Sequence, residues 1–139
     1  MPQFPSEEWL HAYKDAINMS AEFRIAATDW EGDVTYVVEA EPDKGLVIDA
    51  WGWFDLYHGV CRQARVVSPD EGDKASFVIR APYSRWKEVI RGRLDPTKAM
   101  VQGKLRLKGD LPKITEQVRA VDVLVSIAAQ IPTEFVDDE

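Results

Sequence analysis

Residues 120–131 are apolar apart from Asp122, Ser126 and Gln130, which fall at i, i+4 and i+8 and so make one narrow polar line along a helix. A helix this apolar on its remaining surface is largely buried, faces a ligand cavity, or packs on another subunit. The run is too short and too interrupted to span a bilayer. Asp110 is placed to cap the helix, with Pro112 in its first turn. The stripe Ile114, Val118, Val121, Val125 and Ala128 then carries it toward Pro132. Whatever else the chain forms must offer this helix an apolar surface.

The middle of the chain supplies one. From Asp33 the apolar period changes to two, with Val34, Tyr36 and Val38 alternating with Thr35, Val37 and Glu39. Pro42-Asp43-Lys44-Gly45 is turn chemistry, and Leu46 to Trp53 is expected to run back as a second strand. Either face of that strand could look inward. Tyr57 to Val67 and Ala75 to Arg80 read as two more strands, separated by a turn at residues 68–73. Gly103 to Gly109 reads as a last one, with Leu105 and Leu107 on one face and Lys104, Arg106 and Lys108 on the other.

Helical signals surround these strands. Ser6 precedes Glu7 and Glu8 and a stripe of Trp9, Leu10, Tyr13 and Ile17, predicting a helix to about Asn18; a second short helix follows Ser20. Pro82 suits a first helical turn ahead of Tyr83, Trp86, Val89 and Ile90, with Gly92 at the exit. Leu94-Asp95-Pro96-Thr97 reads as a turn or a short helical start. Hairpin-connected strands flanked by helices predict an α+β fold with the sheet covered on one face, not a doubly wound parallel sheet.

Composition limits the chemistry. The 139 residues suit a single domain, 1–139, that can bury a core without disulfide or metal staples. The one cysteine, Cys61, cannot pair internally and reads as a small buried apolar residue in a reducing compartment. His11 and His58 lie in different elements and do not form a recognisable metal site. No nucleophile elbow, P-loop or dinucleotide fingerprint is present. No catalytic residue, metal ligand or cofactor is therefore assigned. The start is acidic and lacks the basic and apolar regions of a signal peptide, and the Val-Asp-Asp-Glu end is no peroxisomal signal, so a cytoplasmic location is expected.

Charge is segregated along the chain. The net charge of −7 argues against nucleic-acid binding. Residues 85–108 nevertheless carry 8 basic and 2 acidic side chains, net +6, between acidic flanks. A solvated face is the ordinary reading of such a run. The functional reading is that Lys104, Arg106 and Lys108 meet an anionic head group or an anionic membrane surface, each worth roughly 1 kcal/mol near an acidic bilayer. Large aromatics, among them Trp51, Trp53, Phe77 and Trp86, concentrate in the middle of the chain and could line a cavity under the apolar helix.

Three motifs in the second half occur in a recognisable order. Phe77-Val-Ile-Arg-Ala-Pro-Tyr-Ser-Arg-Trp86-Lys is followed by Gly92-Arg-Leu-Asp-Pro96 and then by Met100-Val-Gln-Gly103-Lys-Leu-Arg-Leu-Lys-Gly-Asp110. This pattern resembles the sterol carrier protein-2 family, as a stand-alone prokaryotic-type member. The resemblance implies a five-stranded, mainly antiparallel sheet with helices over one face and an apolar cavity between them for fatty acyl chains, sterols or other lipids. By matched position, Trp86, Met100 and Leu105 are candidates for the cavity wall, and Val121, Leu124, Val125 and Ala128 for a lid. Trp51, Trp53, Phe77 and Ile90 complete the candidate lining.

The expected function is non-catalytic binding and transfer of a lipid or fatty acyl ligand, with transient anionic membrane contact. The alternative is an accessory protein that presents a hydrophobic intermediate, such as a prenylated quinone precursor, to biosynthetic enzymes. A homodimer built on the apolar final helix is the reading that needs no ligand.

Overall fold

Side-chain oxygens start most of the helices. A computed structural model describes residues 1–138, and the side chains of all of these but Leu111. After a short strand, β1 (Gln3–Phe4), Ser6 Oγ accepts the Trp9 N–H at 3.0 Å and begins α1 (Glu7–Met19). Ser20 Oγ accepts the Phe23 N–H in the same way and begins α2 (Ala21–Ala26). The buried face of α1 is Trp9, Leu10, Tyr13 and Ile17, as its spacing predicts.

The sheet comprises β2 (Glu31–Glu39), β3 (Ala50–Tyr57), β4 (Val60–Val66), β5 (Phe77–Pro82) and β6 (Arg106–Gly109) in the order β4-β3-β2-β5-β6. The central pair β2 and β5 is parallel and the other three pairs are antiparallel. This is the expected α+β architecture with a five-stranded, mainly antiparallel sheet. Connections include α3 (Pro69–Gly72), α4 (Tyr83–Ile90) and α5 (Pro96–Val101), and the chain closes with α6 (Leu111–Glu116), α7 (Val118–Ile127), a 3₁₀ turn at Ala128–Gln130 and β7 (Glu134–Phe135), which pairs with β1.

Helices cover the face carrying Val34, Tyr36, Val38, Phe54, Leu56 and Ile79. The opposite face is not bare. Val67, α3 and Ala75 fold over Val37, Trp51 and Val78, and the buried Thr35 hydroxyl donates to Gly72 O at 2.8 Å. The apolar surface of α7 is used within one chain: Ala120, Val121, Val123, Leu124, Val125 and Ile127 are all buried. That burial satisfies the demand its sequence makes without a second subunit.

Several boundaries differ from the sequence reading. The second strand starts at Ala50, not Leu46, because residues 46–49 form a loop held by the Glu41–Leu46 bridge and by Asp49, whose Oδ1 accepts the Ala40 N–H at 2.7 Å. That strand then continues to Tyr57, past the expected end at Trp53. His58 and Gly59, at φ 49° and 83°, make the tight reversal into β4. Positive φ at both central residues matches the right-handed twist of the paired strands. Pro82 ends β5 instead of entering the helix. The last helix is broken at Gln117, and the break turns Val118 out of the apolar stripe, leaving it 49% exposed.

Candidate ligand pocket

An open pocket of about 780 Å³ lies where β2 ends and β3 begins. Its floor combines Tyr36 and Val38 of β2 with Ala50 and Gly52 of β3, and Trp51 joins the wall from the opposite face of the sheet. The N-terminal segment Phe4–Ser6 and the first turn of α1, through Trp9 and Leu10, close one side. Leu46, Val47, Ile48 and Asp49 arch over another, and Val66, Val67 and Pro69 complete the wall from the far side of the sheet. Leu10 of α1 sits directly over Gly52: a Cβ there would lie 2.9 Å from Leu10 Cδ2.

The wall is almost wholly apolar, and Asp49 is its one acidic residue. Val47 and Ile48 at the rim are 70% and 73% exposed, although they are among the most hydrophobic residues in the chain. Large apolar side chains displayed beside a concave apolar wall are the arrangement of a hydrophobic binding site.

The polar groups of the wall are mostly held by protein. Tyr13 Oη donates to Leu124 O and lies 2.7 Å from Tyr36 Oη. The Tyr13 proton is committed to that carbonyl, so Tyr36 is the donor between the two hydroxyls. Burial holds both phenols well above the usual tyrosine range. The Trp9 indole donates to Thr133 Oγ1 at 3.0 Å. Behind the N-terminal wall, Phe4 packs against Trp9, Tyr83 and Phe135. The C-terminal strap is tied down by Asp137, which accepts from Tyr83 and Lys87 at 2.7 Å each.

Of the candidate lining residues, Trp51 alone belongs to this wall. Trp53, two residues on and so on the same sheet face as Trp51, lies outside the wall, donating its indole N–H to Asp33 at 2.7 Å beneath the Arg65 guanidinium. Trp86 is sealed between the sheet and α4, donating to Val37 O at 2.9 Å. Ile90, Leu105, Val125 and Ala128 are buried in the packed core, and Met100 is half-buried against it. Phe77, Val121 and Leu124 meet around a void of about 10 Å³, no larger than a water molecule needs. The region under α7 is thus filled by side chains.

Sequence reasoning missed Phe4, Trp9, Leu10, Tyr36, Val38 and the loop at 46–49 as pocket wall. The available signal was Val47-Ile48, an apolar pair between a Gly45 turn and Asp49, which reads equally well as the start of a strand.

Of the expected basic strand face, Arg106 and Lys108 lie on β6 and are paired, whereas Lys104 precedes the strand, which begins at Arg106 and not at Gly103. Arg106 contacts Glu39, and Lys108 reaches Asp73 at 2.9 Å. Lys104 is exposed and makes no ion pair among the described residues. Cys61 is buried, and burial pushes its thiol up to about 12. Among the described residues, no group of three or more His, Cys, Asp or Glu side chains is placed to hold a metal ion, and no helix is long and apolar enough to cross a membrane.

Comparison with known proteins accords with this architecture. The model of the SCP-2 sterol transfer family matches residues 14–122. A crystal structure of sterol carrier protein 2 is 36% identical, with a TM-score of 0.84 over 93% of this chain and 99% of that one. The solution structure of a conserved hypothetical protein from Thermus thermophilus, described as possibly a sterol carrier protein, is 34% identical, with a TM-score of 0.81 over 96% of this chain and 93% of that one. Sterol carrier protein 2 from Yarrowia lipolytica, at 13% identity and a TM-score of 0.57 over 86% of this chain and 88% of that one, shares the fold. A search of curated proteins finds no match. The chain belongs to the SCP-2 sterol transfer family.

Proposed function

We propose that this protein is a non-catalytic carrier that holds the apolar part of a lipid in the pocket between α1, the start of β3 and the 46–49 loop. The observation that carries this reading is an open, apolar-walled pocket of about 780 Å³ in a member of a sterol transfer family. A volume of this size is typical of small-molecule sites, which span roughly 300–1,000 Å³. Each buried methylene contributes roughly 0.8 kcal/mol, so a chain of about sixteen carbons offers on the order of 12 kcal/mol before ordering and association costs. Binding of this kind needs few directed contacts and tolerates varied ligands, which suits transport.

Exposed Val47 and Ile48 beside the opening favour loading from a lipid surface. Lys104, with the partly paired Arg106 and Lys108, forms the face we assign to transient contact with anionic membranes. A second reading is presentation of a hydrophobic intermediate to biosynthetic enzymes. It draws on a neighbour described as a UbiJ-SCP2 ubiquinone synthesis protein, which shares the fold at 18% identity and a TM-score of 0.50 over 91% of this chain and 89% of that one. Native mass spectrometry of gently purified protein separates the two. A heterogeneous set of bound lipids supports the carrier, one defined prenylated species supports the accessory role, and protein that takes up no lipid contradicts both.

A further inference from the structure

The pocket wall carries one charged side chain, and it is negative. Asp49 ends the arch, and its Oδ1 accepts the N–H of another wall residue, Ala40, at 2.7 Å. The carboxylate is thereby tied into the wall. Among the described residues, no Lys, Arg or His contributes to that wall. Three wall residues spend their donors on protein: the Ser6 hydroxyl on Gln3 O, the Trp9 indole on Thr133 Oγ1 and the Tyr36 hydroxyl on Tyr13.

The surroundings reinforce this charge. Residues 40–49 hold Glu41, Asp43 and Asp49 against Lys44 alone, net −2. The amino end of α1 adjoins the pocket at Ser6, and a helix dipole there would favour an anion, but Glu7 and Glu8 occupy its first turn. Arg80 stacks on Trp51 at 5.3 Å, yet it lies outside the wall, on the opposite face of the sheet, with Glu39 3.8 Å from its Nε. An anion entering the cleft would leave water for an apolar wall that has one fixed negative charge and no positive one, and both effects disfavour it. An uncharged polar end meets neither charge repulsion nor the loss of an ion's hydration.

We propose that Asp49 is a specificity-determining residue that biases the pocket toward lipids with an uncharged polar end, such as long-chain alcohols, and against the matching carboxylates. The inference rests on the carrier reading and names the ligand class. A fatty acid still binds by its chain, with its charged end kept in water. Asp49 is itself exposed, so water screens its charge and the discrimination it adds is modest.

Titration with 1-decanol and with decanoate, at neutral pH and constant ionic strength, tests this in wild-type, Asp49→Asn and Asp43→Asn proteins. Asparagine keeps an acceptor for the Ala40 N–H and removes the charge. Decanoate affinity rises about fivefold in Asp49→Asn, while decanol affinity stays within about twofold. Asp43 lies outside the wall, so Asp43→Asn leaves both ligands within about twofold. Should Asp49→Asn melt below the assay temperature, Asp49→Ser, which also offers Ala40 an acceptor, carries the same expectation. An unchanged ratio of the two affinities overturns the inference and leaves the carrier reading standing. An equal change for both ligands also overturns it, because Asp49 would then act only as a tie within the arch. A rise in decanoate affinity as large in Asp43→Asn overturns it too, by tracing the effect to the charge of the whole loop. Wild-type protein that binds neither ligand contradicts the carrier reading itself.

Discussion

Tyr13 joins the first helix to the last through the pocket floor: its hydroxyl donates to Leu124 O and accepts from Tyr36, 2.7 Å away. The Leu124 carbonyl is free for this role because α7 tightens as it ends, with the Ala128 N–H turned to Ser126 O and Val125 O. Removing the Tyr13 hydroxyl leaves a carbonyl and a phenol buried without partners. We expect Tyr13→Phe to cost about 2–4 kcal/mol in urea unfolding, and Tyr36→Phe only about 1 kcal/mol, because the latter leaves the Tyr13–Leu124 bond intact. Equal losses would show that the two hydroxyls are not arranged in this order.

Asp33 ties the far face of the sheet to the segment entering β5. Its oxygens accept the Ser76 N–H at 2.8 Å and the Trp53 indole N–H at 2.7 Å. Burial opposes ionisation, but these hydrogen bonds outweigh it and hold the carboxyl below the usual aspartate range. A depressed folded pKa gives stability that is present above the unfolded value, about 3.9, and is lost as pH falls through the folded one. Asp33→Asn turns an amide donor toward one of these N–H groups and should cost about 1–2 kcal/mol at pH 7. The gap between variant and wild type should narrow in melts taken toward pH 3.

Gly59 is required by the turn that ends β3. Its φ is 83°, and a Cβ would lie 2.8 Å from the Arg24 Cα in α2. Gly59→Ala meets both backbone strain and a contact with main chain that has little room to yield. A loss of about 1–3 kcal/mol in thermal or urea unfolding is expected. A neutral result would mean that α2 does not pack against the hairpin as described.

Cys61 should be chemically inert in the folded protein. It is buried, its Sγ donates to Gln63 O at 3.3 Å, and its thiol is pushed up to about 12 by burial. Thiol-reactive dyes should label it only on unfolding, at a rate set by the opening reaction. Rapid labelling of native protein would contradict its placement.

The fold was legible in the sequence where local chemistry is decisive. Ser6, Ser20 and Asp110 cap the helices they precede, and the stripe of α1 is buried as spaced. The apolar excess of residues 120–131 correctly required burial, but local pattern could not tell a packed core from a cavity. That distinction depends on how completely Phe77, Trp86 and Leu105, distant in sequence, fill the space below α7. The pocket was harder to read because it is assembled from four separate segments. Its arch, Leu46–Asp49, looks like a strand until Asp49 is seen holding Ala40 and Gly59 is seen making the turn.

The most direct test of the account is an amide NMR titration of the full chain with a fatty acid. We expect the largest shifts at Trp9, Leu10, Tyr36, Val38 and residues 46–52, with smaller ones elsewhere. Shifts concentrated instead at Ile114, Val121, Leu124 and Phe77 would place the ligand beneath α7 and contradict the pocket assigned above.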